Sequence, residues 1–559
     1  MVSGNIILGR PTGKITHMTV AGNAIIKILI LFIGLICLSI SSIWAVTYYI
    51  NQDGTPHLYN AYLILEILKG NDSIRQFASL NPHLVPNLTG HLILAFLLLF
   101  FEPATTTKIM VTLTFAAFVA SVGWLRFQVA GMKGLGTSLL FGAVIAFNWL
   151  WFLGFYNFAL SASAFSFSLG LWWRWREIMD LKRAFCLYLL LMLTFLSHLV
   201  SFGLLIGGIF FLLMAHIKTV SRKSALWTIG MLAATIPWII NYLWVSQSGG
   251  GIDPQWRYLQ NPFSISNWVI RLNEADPFVL ISRKAVPFVV STTPAFAIFS
   301  SILWMMVALL LLGFAMYRWR RAPAENALAY TKSWAFLSII LVAIWAFGPD
   351  DFGTAHGGGL RQRALILGFV CIVPFFKLSP KRYINITAQA CLIFVILFQT
   401  LVLWDYSLRN NSVAKQFYVA KDQIGQNESI GSIVFIADTR RFRPIPLSNL
   451  TPYLGIGKNA PVWDNFEFGF YYFPVVTNTP EERSFVFNFR ESNTYDLNDP
   501  NENVAEKRNK LESVLAANHN RIDVLLVWNE QADFVSLRQR WFENEPYFES
   551  GELKLFRHR

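Results

Sequence analysis

The stretch "YYINQDGTPHLYNAYLILEILKG", residues 48–70, begins where a long apolar run ends and sets Asp53, Gly54, Pro56 and His57 in quick succession. The run before it, from Ala24 to Ile50, is too long for a signal-peptide core and has no small-residue cleavage site, so it reads as a retained membrane anchor. Gly54 and Pro56 favour a turn that holds the Asp53 carboxylate at the membrane surface, and His57 then opens the amphipathic segment HLYNAYLILEILKG. Asn60, Glu66 and Lys69 interrupt its apolar side too often for a span, so this helix is expected to lie along the interface.

The rest of the chain supports that reading. Of its 559 residues, 54% are hydrophobic and only 14% charged, against about a quarter charged in soluble domains. Apolar runs close to the roughly 20 residues that cross a bilayer recur through the first 405 positions. The fold class is therefore a polytopic α-helical membrane protein, with a small α/β domain after it. Basic loops at Arg174–Arg183, Lys218–Lys223, Arg318–Arg321 and Lys377–Arg382 belong on the cytoplasmic side by the positive-inside bias, and Arg10, Lys14 and Lys27 put the N-terminus there too. Spans then fall near 106–125, 135–152, 158–173, 185–200, 202–217, 226–245, 294–316, 334–348, 362–377 and 385–405. With the anchor they make about 11 crossings of the cytoplasmic membrane. The short run Asn87 to Glu102, which contains His91, is left as a re-entrant or interfacial helix.

The net charge of +13 sits in loops between apolar runs, which suits anionic lipid and excludes a nucleic-acid surface. Cys37, Cys186, Cys371 and Cys391 all lie within apolar runs, as small core residues and not as a disulfide or metal framework. Residues 1–405 thus form the membrane domain, with a first outer loop at 51–86. Residues 406–559 form a soluble extracytoplasmic domain in which SIVFIA (432–437), SFVFNF (484–489) and RIDVLLVW (521–528) read as strands and NENVAEKRNKLESVLAANH (501–519) as a helix.

On this topology His57, His83, His91, His198 and His356 gather at the outer face, together with Asp53, Asp350, Asp351, Arg361 and Arg363. Charges are costly at membrane depth, so a one-sided gathering points to a wet site. Asp53 with His57 is the candidate acid–base pair; a plain turn residue is the alternative for Asp53. NPHLVPNLTGH (81–91) adds His83 and His91 as candidate substrate contacts. Their spacing with His57 matches no compact metal motif, so no metal ligand is assigned, although a divalent cofactor stays compatible. In GPDDFGTAHGGGLRQRALILGF (348–369), three glycines lead into a helix whose N-terminus faces outward, beside Arg361 and Arg363, a fit for a phosphate. Pairing of these arginines with Asp350 and Asp351 is the alternative. His198 stands at a tight turn, to orient a hydroxyl or to cap a helix. The loop Gly249–Pro294 carries Trp256, Arg257, Trp268, Arg271, Arg283 and Lys284, suited to sugars or lipid headgroups.

An anchor, an acid in the first outer loop, an interfacial helix, a many-helix body and an outer C-terminal domain together resemble the GT-C superfamily of membrane glycosyltransferases. DGTPHLYNA (53–61) and NLTGH (87–91) are similar to the first-loop region of bacterial members, and WDNFEFGFYYFPV (463–475) to their tail domain. The resemblance implies an inverting transfer from a polyprenyl-phosphate-linked sugar donor to a lipid, glycan or protein acceptor. It also implies a role for Asp53 as base or metal-site residue. Many members have two adjacent acids there, whereas Asp53 stands between Gln52 and Gly54. A flippase of lipid-linked saccharides would show broken or polar spans at mid-membrane and duplicated halves, and neither is visible. A scaffold or receptor would carry its binding in 406–559.

Overall fold

The computed structural model describes residues 14–274, 277–278, 327–353, 358–375, 381–437, 442–499 and 502–559. His356, Arg283, Lys284, the Arg318–Arg321 cluster and the span expected at 294–316 lie outside these residues. The chain is mostly helical, with a small sheet domain at its C-terminus. Three helices among the described residues are long and apolar enough to cross a membrane: Pro103–Ala130, Arg222–Ser246 and Arg382–Lys421. Shorter apolar helices, among them Ala24–Ser39, Leu135–Ala146 and Leu199–Ala215, pack beside them. Large apolar side chains such as Leu226, Ile240, Trp244, Phe394 and Leu401 stand exposed on these helices, a surface that water would not tolerate and hydrocarbon does. The protein is a membrane protein.

The helix Thr89–Leu98 has 10 residues, or about 15 Å of rise, which is half the hydrocarbon thickness. The last apolar helix, Arg382–Lys421, runs 40 residues without a break, so the boundary expected at 405/406 falls inside it. Its far half enters the C-terminal domain, where Phe417 stacks on Trp528.

Seven strands are formed among the described residues: β1 (Ala78–Leu80), β2 (Ile430–Ile436), β3 (Val475–Thr477), β4 (Thr494–Asp496), β5 (Val524–Trp528), β6 (Phe548–Ser550) and β7 (Leu553–Arg557). Five of them make a mixed sheet in the order β4-β2-β5-β7-β6, with β2 parallel to both neighbours and β7 antiparallel to β5 and β6. Strands expected at SIVFIA and RIDVLLVW are β2 and β5, and the helix expected near 501–519 is Val504–Asn518. SFVFNF is a correction, because it lies in the helix Pro480–Ser492. Thr479 and Glu482 form a reciprocal capping box and Pro480 occupies the first turn, while Phe485, Val486 and Phe489 are buried on one helical face. Those local start signals outweigh the β-rich composition.

The segment after the first apolar helix is bound to the tail. Strand β1 pairs antiparallel with β3, Ala78 opposite Thr477 and Leu80 opposite Val475. The helix Gly54–Lys69, expected in the interface, is instead covered for most of its length, with residues 54–61 all buried. Its polar positions have partners in the tail: Tyr59 donates to the Ala460 carbonyl at 2.6 Å, and Asn60 and Asn465 exchange two side-chain bonds at 3.3 Å.

Candidate active site

Asp53 occupies the N-cap position of the helix Gly54–Lys69, yet its side chain makes no capping bond. An aspartate there ordinarily accepts from the first helical N–H groups. Here its Oδ1 accepts instead from Asn449 Nδ2, at 2.6 Å, on a turn of the tail. Burial raises its pKa to about 6, against the pull of His57, Arg490 and the Asn449 bond. The main chain is tied down by Asp53 N donating to the Leu153 carbonyl at 2.7 Å.

One turn along, His57 brings Nδ1 against Oε1 of Glu467, and His91 brings Nε2 to within 2.8 Å of Oε2 of the same carboxylate. Glu467 has no exposure, and both histidines are buried. Burial pushes the Glu467 carboxyl up, but the two imidazoles outweigh it and hold the group down at about 2. Burial pulls His57 down, and the facing Glu467 more than reverses this, so its pKa is raised. Arg490, from the helix Pro480–Ser492, lies 4.6 Å from the Phe466 ring and acts electrostatically on Asp53.

Asp53 and His57 line a cavity of about 390 Å³. Its other polar groups include Asn157, His198, Arg363 and Tyr472, and its walls are otherwise largely apolar, with Phe155, Phe158, Leu199, Leu204, Phe466 and Phe473. Arg363 is 5% exposed, donates to the Gly358 carbonyl, and rests between Phe155 and Phe158 at 5.5 Å from each ring. Its Nε has no hydrogen-bond partner, and it has no carboxylate partner among the described residues. A buried guanidinium without a counter-ion is costly, and an anion in the cavity would relieve it. His198 Nδ1 accepts from Val200 N at 3.2 Å, capping the next helix; its hydrogen is therefore on Nε2, available to donate.

The remaining sequence candidates lie elsewhere. Arg361 donates to the carbonyls of Trp345 and Arg271 and to Asp350, at 2.9 to 3.0 Å. Asp350 also pairs with Arg271, and Asp351 with Arg257. These groups fasten the loop after Ser246 to the start of the helix Leu360–Ile372, and none of them lines the cavity. Arg361 thus follows the alternative stated for it, pairing with an acid. His83 packs edge-on against Trp244, 5.5 Å away, also outside the cavity. His91 joins the cluster through Glu467 and does not reach the cavity wall.

Among residues that the sequence reading missed, Asn449, Glu467 and Arg490 come from the tail and Asn157 from the helix Tyr156–Trp175. Glu467 carried one signal, a lone acid amid the aromatics of FEFGFYYF. An oxygen-only metal site at Asp53 does not fit, because its hydrogen-bond partner is an amide and the neighbouring Gln52 is engaged with Ile445 N at 2.8 Å.

No family model matches the sequence, and no curated protein does. Among solved structures, ArnT from Cupriavidus metallidurans bound to undecaprenyl phosphate is similar at 10% identity over 95% of this chain and 97% of that one, with a TM-score of 0.49. The apo state of the same protein gives 11%, 96%, 98% and 0.49. The apo oligosaccharyltransferase of Archaeoglobus fulgidus gives 11% over 92% of this chain and 71% of that one, with a TM-score of 0.44.

Proposed function

We propose that this chain is a membrane glycosyltransferase that moves a sugar from a polyprenyl-phosphate-linked donor to an acceptor hydroxyl on the outer side of the cytoplasmic membrane. One observation carries the reading: a single, mostly apolar cavity has a base at one wall, Asp53, and an unpaired buried cation at another, Arg363. Glycosyl transfer to an alcohol needs both. The acceptor oxygen must lose a proton as it attacks the anomeric carbon, and the phosphate oxygen must carry charge away as its bond to that carbon breaks.

In this reading Asp53 takes the acceptor proton, with its other oxygen held by Asn449. Arg363 and the Nε2–H of His198 receive the charge that grows on the leaving phosphate. A single displacement by the acceptor inverts the sugar's configuration. Apolar walls suit the first isoprene units of a lipid carrier, and Tyr472 and Phe466 supply aromatic faces for the sugar. The orientation that goes with this is about 11 crossings, a cytoplasmic N-terminus and an outer tail.

The test is to place the full chain in nanodiscs with a panel of polyprenyl-phosphate-linked sugars and a crude envelope-lipid acceptor, and to follow release of polyprenyl phosphate by mass spectrometry. One donor should be consumed by the wild type and spared by Asp53→Asn. Equal consumption by Asp53→Asn, or none of the panel consumed, would overturn the reading.

A further inference from the structure

His91 Nδ1 lies 2.6 Å from the carbonyl oxygen of Asn87. A carbonyl only accepts, so that nitrogen carries a hydrogen. The other ring nitrogen, Nε2, faces Glu467 Oε2 at 2.8 Å. In the neutral ring this nitrogen presents a lone pair, and a lone pair pointed at a carboxylate is repelled unless a cation lies between them. His57 Nδ1 faces the other oxygen of the same carboxylate, so a second imidazole nitrogen is aimed at the same point. Two imidazoles and one carboxylate are thus arranged around a point that calls for positive charge, with no exposure at His91 or Glu467.

The surroundings are built to hold that arrangement. Asn87 has a positive φ of 64°, a conformation few residues other than glycine adopt, and it aims the carbonyl at His91. The same carbonyl accepts a second bond from Asn157 Nδ2 at 3.0 Å. A ring N–H donated to a backbone carbonyl is the usual support behind a metal-bound histidine, fixing its tautomer and direction. The three donor atoms lie within 4.8 Å of one another. Bonds of about 2.0–2.2 Å from nitrogen and carboxylate oxygen to zinc would place tetrahedral donors inside that span.

We propose that His57 Nδ1, His91 Nε2 and the Glu467 carboxylate form a binding site for one zinc-class divalent cation. Two imidazoles and one carboxylate select a borderline late first-row ion over magnesium or calcium, which prefer oxygen alone. The cation joins three separate segments: the first outer helix, the helix Thr89–Leu98 and the tail turn Phe466–Gly469. Three protein ligands leave one tetrahedral position, as in catalytic sites, and His57 is the ligand whose ring lines the cavity. The assignment rests on these donors alone and does not require the transfer reaction.

The test measures bound metal without any substrate. The full chain, carrying no histidine tag, is purified in detergent, loaded with zinc or cobalt, dialysed, and assayed by elemental mass spectrometry and visible absorption. About one equivalent should be retained per chain, with the intense d–d bands of tetrahedral cobalt. Glu467→Gln and His91→Ala should each lower retention by about tenfold or more, while His519→Ala, in the tail, should keep it. Size-exclusion profiles show whether each variant is folded. A wild type that retains neither ion overturns the proposal and leaves a proton as the charge at the site, as does Glu467→Gln retaining a full equivalent. The wild-type result decides the matter even if a variant fails to fold, and a metal-binding chain that consumes no donor would leave this site standing while the transfer reading fell.

Discussion

Asn449 donates its side-chain amide to Asp53 Oδ1 at 2.6 Å, so a turn of the C-terminal domain holds the acid that follows the first apolar helix. The second oxygen of Asp53 has no hydrogen-bond partner among the described residues, while the residue lines the cavity. This arrangement orients one oxygen and leaves the other for a substrate proton. It also favours the ionised form, against the burial that raises the pKa to about 6. Base catalysis needs that form, so turnover should fall as pH drops through about 6. Asn449→Ala removes a stabilising donor and should move this acid limb to higher pH, with turnover at neutral pH down by about ten- to a hundredfold. A pH–rate profile of donor consumption checks both; an unmoved limb in Asn449→Ala would remove Asp53 as the group that titrates.

Arg363 and Arg361 make a contrasting pair. Arg363→Ala should lower kcat/KM for the lipid-phosphate donor by about a hundredfold, because a phosphate would lose its buried guanidinium, and Arg363→Lys should recover only part. Arg361→Ala leaves Asp350 with Arg271 and the Arg257 N–H and frees two carbonyls, so its main effect should be on stability, on the order of 2 kcal/mol. Donor kinetics beside thermal unfolding in detergent separates the two. Equal kinetic losses with no change in unfolding would contradict the placement of Arg361 outside the cavity.

That contrast also shows what sequence alone could and could not reach. The length of the apolar runs points to the many-helix body, and turn chemistry draws Asp53 and His57 together, which line one cavity. RQR at 361–363 offered two arginines, two positions apart and therefore about 200° apart around a helix. Nothing local states which face meets the cavity. Asn449 and Glu467 were out of reach for another reason: each meets its partner across some 400 positions of chain, a relation no window of sequence contains. The helix at SFVFNF is legible in principle, since Thr479, Pro480 and Glu482 announce it, against an apolar alternation that suggests a strand.

Asp464 offers a stability prediction in the tail. It is 3% exposed and takes a hydrogen bond from Ser432 Oγ, with the Thr451 side chain also favouring its ionised form. Burial raises its pKa to about 6, above the usual value near 4 for an unfolded chain. The folded state therefore binds the proton more tightly. Its contribution is fully present below about pH 4 and is lost as pH rises through about 6. Asp464→Asn abolishes that titration, so the variant should gain on the wild type as pH rises from about 5 to 7.5, by about 1.4 kcal/mol. Unfolding midpoints of both proteins across this range would show it; a constant difference would mean that Asp464 does not titrate as assigned.

Gly54 governs how close the Asp53 turn can approach the membrane body. A Cβ built there would meet Asn51 Oδ1 at 2.2 Å and the Tyr156 hydroxyl at 2.5 Å, and these two groups are bonded to each other at 2.8 Å in a buried site. Neither can move away without breaking that bond. Gly154 faces it with φ +93°, and a Cβ on that residue would come within 2.8 Å of Gly54 N, so retreat in that direction is closed as well. The added methyl must push the turn outward, carrying Asp53 away from Asn449. Gly54→Ala should then destabilise the protein by about 2 kcal/mol or more and reduce donor consumption in the fraction that stays folded. Gly34→Ala is the control: it lies in a helix with nothing within 4 Å of the new methyl, and should be neutral or slightly stabilising. If Gly54→Ala unfolds at the same temperature as Gly34→Ala and turns over donor at the wild-type rate, the close packing that sets the position of Asp53 is not what holds it.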